Sequence, residues 1–403
     1  MIVLGILVAL AGCLAATLAL YLVLLAVASF RYGQRLEGYT PSWRMLVLVP
    51  AHDEVLLVGR TVRSLLAQSY PRELFRICVI ADNCTDATEQ VARAAGADEV
   101  LVRHDPDVRG KGHALRWAMD RVLAAPDAPD AIVSVDADTL TDPDLLRALA
   151  QRLEAGAPAV QADYRAIGDD SPSSELRKVG FILMNRTRPA GRNVLGQSAC
   201  LVGNGWALSA ELMRRRPWSA FSSTEDREYT IELDSAGEFI AFAGAAAVHA
   251  PTAPSHAAEA IQQERWEGGW ASLVRRQIPR LMWSAVTGRG LRLLLVGIDL
   301  AVPPLGLLAS LALAGMCIEL ALIIGFGLAP ELILPWALAV VAVPLYVLLG
   351  LIAADAPAAT YRALAHAPLF VLRKPLSLRR TLRSRGDTWI RTERAHGETE
   401  GGA

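Results

Sequence analysis

From Ile2 to Phe30 the chain runs without one charged side chain. A helix of about 20 apolar residues crosses a bilayer core, because it satisfies its own backbone polar groups there. Residues 300–318, between Asp299 and Glu319, and residues 332–354 repeat the feature. These stretches predict three membrane-spanning helices. The first is not read as a signal peptide, since it lacks a basic start and its apolar run exceeds the usual length.

The flanking charges orient the spans. Arg31, Arg35 and Arg44 follow the first, and Arg275, Arg276, Arg280, Arg289 and Arg292 precede the second. Arg362, Arg373, Lys374, Arg379, Arg380, Arg383 and Arg385 follow the third, whereas the turn at 329–331 has no basic residue. Basic residues stay on the cytoplasmic side. The expected topology has the N-terminus outside, residues 31–290 inside, a hairpin of two spans and a cytoplasmic tail. The net charge of −1 averages basic collars against an acidic middle. Collars beside spans meet anionic lipid rather than nucleic acid. The five cysteines show no metal-type spacing and read as reduced thiols. The expected divisions are 1–30 (first span), 31–270 (cytoplasmic domain), 271–292 (interfacial amphipathic segment), 293–355 (two spans) and 356–403 (basic tail).

Between the first two spans, short apolar strands alternate with helical patterns. Strands are expected at 45–50, 74–81, 100–103 and 131–135, with helices after the first up to Gln68, at 85–95 and at 111–125. Such alternation predicts an α/β domain with a mostly parallel sheet, whose successive strand ends share one edge. Ligands bind at that edge. The first strand ends in His52-Asp53-Glu54, and the second in Asp82-Asn83-Cys84-Thr85-Asp86. Arg109-Gly110-Lys111-Gly112-His113 precedes the fourth strand, which ends in Asp136 and Asp138. Any one group has a plain reading, since Asp and Asn cap helices. Four at one edge favour a phosphate and metal site, where glycine amides and Lys111 face an anion and the acid pair suits a hard cation.

Three more groups follow. Gly203-Asn204-Gly205-Trp206 suits either close approach of backbone and an aromatic platform to a ligand, or a tight turn with a core tryptophan. Thr224-Glu225-Asp226 opens a helix expected over 226–235, where acids also answer the helix dipole. Gln262, Arg265 and Trp266 lie on neighbouring faces of a further helix, and an interfacial Arg/Trp pair is the alternative.

The order VLVPAHDE, ADNCTD, RGKGHAL, VDADT, GNG, TED and QQERW, followed by spans, resembles the family 2 glycosyltransferases. The likeness is greatest to the membrane-embedded branch of cellulose, chitin and hyaluronan synthases, and it covers residues 45–270. It implies a GT-A, Rossmann-like cytoplasmic domain and an inner-membrane, multi-pass protein. By that resemblance Glu54 and Asp82 hold the uridine, with Lys111 nearby. Asp136 and Asp138 bind the donor diphosphate through Mg²⁺ or Mn²⁺, with Asp138 the direct ligand. Asp226 is the general base, and Gln262, Arg265 and Trp266 grip the diphosphate and shape the acceptor platform. His249 is either a further metal ligand, as a late histidine is in some GT-A enzymes, or a packed or capping residue.

The implied partners are a UDP-sugar, a glycan or lipid-linked acceptor and membrane lipids, with no nucleic acid. One base and one displacement imply inversion and a β-linked product. Two departures stand out. The second motif has Ala81-Asp82 where the family usually has two acids, and three spans make a thin channel, so translocation of a polymer would need an oligomer or a partner. A membrane-tethered nucleotidyltransferase would not need the TED and QxxRW groups, and a decayed scaffold would not retain Asp138, Asp226 and Arg265.

Overall fold

Strand β1 (Met45–Ala51) is apolar along its whole length and buried on both faces, with Val47, Leu48 and Val49 wholly covered. Continuous apolar runs of this kind belong inside a sheet covered by helices. In the computed structural model β1 lies between β2 (Phe75–Asp82) and β4 (Ala131–Ser134), parallel to both. The model describes residues 1–169, 171–222, 224–251 and 256–372, without the side chains of 256–260 and 288–289. The tail residues Arg373, Lys374, Arg379, Arg380, Arg383 and Arg385 lie outside the described residues.

The chain forms two compact units. One comprises Gly33–Gly168 and Ser198–Trp266. Its sheet is completed by β3 (Glu99–Arg103), β5 (Leu140–Thr141), β6 (Ala159–Ile167), β7 (Trp206–Ser209) and β8 (Ile240–Pro251), in the order β3-β2-β1-β4-β7-β6-β8-β5. The expected parallel half is present, with its helices at Val58–Leu66, Thr88–Ala94 and Lys111–Ala124. Beyond β4 the sheet is mixed: β7 runs antiparallel to β4 and β6, while β6 and β8 are parallel. The β4–β7 register pairs Ser134 with Trp206. It therefore sets Gly203-Asn204-Gly205, which lead into β7, beside the end of β4.

The other unit comprises Met1–Tyr32, Asp169–Gln197 and, among the described residues, 267–372. Residues 169–197, expected within the cytoplasmic domain, thus belong with the apolar helices. Their packing gives the reason. Gly191 lies so close to the helix Ile2–Ser29 that an added Cβ would sit 2.1 Å from the carbonyl oxygen of Leu25. Arg188 Nη2 and Arg192 Nη1 reach the carboxylate of Asp299 at 2.8 and 2.7 Å, and Tyr21 donates to the same group at 3.2 Å.

Among the described residues three helices are long and apolar enough to cross a membrane: Ile2–Ser29, Leu305–Phe326 and Pro330–Ala353. The second differs from the expected 300–318. Proline lacks an amide hydrogen and disfavours helix in the residue before it, so Pro303-Pro304 closes the helix Gly290–Ala301 and starts a new one. The new helix runs on to Gly327, whose left-handed φ of 63° ends it. Asp299 consequently belongs to the preceding helix, and Glu319 lies inside the span rather than at its edge. Trp336 packs between Gly12 and Gly315, where added Cβ atoms would lie 2.9 and 2.5 Å from its ring. Small residues of this kind let helix backbones approach closely.

Candidate active site

The loop after β4 carries Asp136 and Asp138, both half-buried, and it is held from β7. The Asp136 amide donates to Asn204 Oδ1 at 3.0 Å, and Asn204 Nδ2 donates to Thr139 Oγ1 at 2.8 Å. Asn204 and Thr139 are both fully buried. Asn204 is anchored in turn, its carbonyl accepting from Gln161 Nε2 at 2.8 Å. Gly205 has φ +69°, and a Cβ there would stand 2.8 Å from Val248, so the tight turn and the close approach both require glycine. The two glycines are recognisable in the sequence, whereas the role of Asn204 is not. An Asn between two glycines is common in turns, and only its partner 68 residues away reveals the role.

Lys111 opens the helix Lys111–Ala124 behind Gly110. Its Nζ donates to Asp136 Oδ1 and to the carbonyl oxygen of Gly203. A Cβ on Gly203 would lie 3.5 Å from Asp226 Oδ2, so the second acidic group meets the first at this turn. Asp226 stands in the first turn of the helix Glu225–Ser235, and its Oδ1 accepts from the Arg227 amide at 2.8 Å. Lys111, Asp136 and Asp226, which lie apart in sequence, are thus brought together.

The electrostatics follow from this crowding. Burial pushes the Glu225 carboxyl up to about 7, with its neighbour Asp226 adding to the rise and Lys111 opposing it. Burial raises Asp226 as well, against the pull of Arg227 and Lys111. Burial alone would lower Lys111, but Asp136, Glu225 and Asp226 together outweigh it and raise the ammonium. The cluster therefore holds a firmly charged cation beside carboxyls that titrate above their usual range. Shifts of this kind gather at functional sites.

At the other end of the same edge, the ends of β1 and β2 brace each other. Glu54 donates its amide to Thr88 Oγ1 at 2.8 Å, and His52 Nδ1 lies 2.8 Å from the Asp82 carbonyl oxygen. The carboxylate of Asp82 is held in place, its Oδ1 accepting from Arg103 of β3 and from Asn83 Nδ2. Asp53, Cys84 and Asp86 bring ligand atoms within 4.8 Å of one another. Both carboxylates are engaged in holding the loop, Asp53 by Thr85 and Asp86 by Thr88 and Val55.

The remaining expectations divide. Trp206 is core: it is fully buried and stacks on Trp218 at 5.2 Å. His249 Nε2 lies 2.8 Å from Asp142 Oδ1, where β5 pairs with β8, and this hydrogen bond holds the Asp142 carboxyl below its usual range. His249 is thus a partner of Asp142. Gln262, Arg265 and Trp266 lie on the helix His256–Ser284, the first two half-buried and Trp266 exposed.

A mixed sheet with an Asp-x-Asp loop after a central parallel strand is a GT-A-like α/β arrangement. It resembles the solved mannosyltransferase PcManGT from Pyrobaculum calidifontis, in complex with GDP-Man and Mn²⁺, with a TM-score of 0.53 and 17% identity. That match covers 86% of this chain and 97% of that one, and it is a likeness of fold. Residues 41–269, more than half of the chain, match the family described as "Glycosyltransferase like family 2", and the chain belongs to that family. A Bacillus subtilis (strain 168) protein described as "Probable glycosyltransferase YdaM" is 24% identical over 244 residues, 56% of this chain and 57% of the relative. The glycosyltransferase AglD of Haloferax volcanii is 30% identical over 115 residues, 27% of this chain and 18% of the relative. The chain thus spans little more than half of one curated relative and a fifth or less of the other.

Proposed function

We propose that this chain is an inverting membrane glycosyltransferase that moves a sugar from a UDP-sugar to a hydroxyl of a glycan or lipid-linked acceptor. The observation that carries the reading is the junction at Gly203, where Lys111, Asp136 and Asp226 converge. Sugar transfer needs charge neutralised on the leaving diphosphate and a base on the attacking hydroxyl. Both kinds of group meet here.

In this reading Asp226 takes the proton of the acceptor hydroxyl as the bond to the sugar carbon forms. A carboxyl raised by burial is a better base than one in water, and it is matched to a proton that becomes acidic late in the reaction. A single displacement with one base inverts the anomeric centre and gives a β-linkage from an α-linked donor. Lys111 offers a point charge to the donor diphosphate, with Arg265 as a second cation. Glu54 and Asp82 bind the uridine, and Gln262 and Trp266 complete the donor and acceptor surfaces. The loop offers only carboxylate oxygens, Asp136 and Asp138, which fits Mg²⁺ or Mn²⁺. When bound, such an ion would neutralise the leaving diphosphate as a Lewis acid. Asp138 would be its direct ligand, because Lys111 already holds one oxygen of Asp136.

The apolar unit supports an inner-membrane setting with the transferase domain on the cytoplasmic side, as the basic collars indicate. Its three candidate spans favour one or a few additions to a lipid-linked acceptor over export of a long chain through a single protomer. A role in exopolysaccharide or other cell-surface glycan synthesis, in the manner of the cellulose and chitin synthase branch, would require an oligomer or a translocation partner.

The test is a donor screen. UDP-glucose, UDP-N-acetylglucosamine, UDP-galactose and GDP-mannose are offered to the purified protein in membranes, and UDP or GDP release and product mass are measured. One donor should be turned over, and Asp226→Asn should abolish transfer while donor binding survives. Near-normal turnover in that variant would overturn the base assignment, and absence of release from every donor would overturn the function.

A further inference from the structure

Within the spans Ile2–Ser29, Leu305–Phe326 and Leu334–Ala353, Glu319 is the only Asp, Glu, Lys, Arg or His. Its side chain is fully covered by protein, and neither carboxyl oxygen has a hydrogen-bond partner. The group faces the backbone of the first span: a Cβ on Gly5 would stand 3.5 Å from Glu319 Oε1, among the methyl groups of Leu328 and Leu332. One turn earlier on the same helix, Gly315 receives the indole of Trp336, whose Nε1 is also buried without a partner.

No side chain of these elements offers a countercharge. The first span contributes no ionisable group beyond Cys13 and Tyr21, and the third none beyond Tyr346, while the short turn Pro330–Ile333 carries a second acid, Glu331. A bare carboxylate in such a place is far more costly than a neutral carboxyl. An acid inside a helix bundle is a candidate functional group when a partner for it can be named. Among the described residues no side chain of these elements is that partner, which leaves a proton.

We propose that Glu319 is a proton-binding site of the apolar unit. It carries its proton when the three helices are closed on one another, and its ionisation requires the contact among Gly5, Leu328 and Leu332 to open. The inference rests on the burial and isolation of this one carboxyl and is independent of the sugar-transfer reading.

Dicyclohexylcarbodiimide tests it, because this apolar reagent reacts with protonated carboxyls in apolar surroundings. The acid O–H adds across one C=N bond with the proton passing to nitrogen, and the O-acylisourea, shielded from water, rearranges by O-to-N acyl transfer to a stable N-acylurea one reagent heavier. The full-length protein in detergent micelles is treated across pH 5.5–9, and the adduct is located by peptide mass. We expect one adduct on the peptide containing Glu319, formed more slowly as pH rises and absent in Glu319→Gln. The water-soluble carbodiimide EDC should leave this peptide unlabelled. Lack of an adduct in the wild-type protein, a rate indifferent to pH, or protection by Na⁺ at constant pH would each overturn the proposal, the last by identifying a metal cation as the ligand. The wild-type labelling and its pH dependence decide the matter even if the variant folds poorly.

Discussion

Replacing Asn204 by Ala removes two hydrogen bonds that fix the Asp-x-Asp loop: the one to the Asp136 amide at 3.0 Å and the one to Thr139 Oγ1 at 2.8 Å. A typical bond contributes about 1 kcal/mol net, and a buried group left unpaired costs about 1–3 kcal/mol. Solvent can reach the half-buried Asp136, which limits the loss there. Thr139 keeps its own donation to Asp138 at 3.3 Å. The expected destabilisation is therefore about 2–3 kcal/mol. For a unit of this size that lowers the apparent melting midpoint by roughly 4–12 °C. The catalytic effect should be larger than the thermal one suggests, because a misplacement of about 1 Å in a positioning element costs on the order of 100-fold in rate. The assay is donor-dependent nucleotide release well below the variant's midpoint, with the Mg²⁺ or Mn²⁺ concentration for half-maximal activity measured alongside. That concentration should rise, which a general loss of stability would not produce. Wild-type melting together with wild-type ion dependence would refute the claim that Asn204 holds the loop.

Three further outcomes follow from the same cluster. Because burial raises Asp226, the assigned base, and pushes its neighbour Glu225 up to about 7, transfer should fall as pH drops from neutral into the acid range; a rate flat from pH 5 to 8 would contradict the burial argument. The sign for stability is opposite. A carboxyl whose folded pKa is raised binds more protons folded than unfolded, so its contribution is present below about 4.5 and is lost as pH rises through about 7. A chelator such as EDTA should abolish nucleotide release and added Mn²⁺ or Mg²⁺ restore it, whereas indifference to the chelator would remove the metal from the mechanism.

The parallel half of the domain was legible because its strands are continuous apolar runs ending in polar turns, and both features are local. Lys111, Asp136 and Asp226 could be picked out one by one for the same reason. What joins them could not, because the antiparallel return of β7 beside β4 depends on which strand neighbours which, and periodicity carries no such information. Asn204 was lost with it. Trp206 stayed open between ligand platform and core, since a tryptophan after two glycines reads the same in both, and the stack on Trp218 resolved it. The second span departs from its expected bounds because charge alone marks Asp299 and Glu319 as its ends. Pro303-Pro304 and Gly327 set those ends instead, and Glu319 is tolerated within because it is covered.

The indole of Trp336 has a bearing on how tightly the apolar helices can pack. It lies against Gly12 of the first span and Gly315 of the second, where an added Cβ would stand 2.9 and 2.5 Å from the ring. Even alanine at either position would have to displace the indole, so one aromatic side chain and two missing methyl groups set the spacing of three helices.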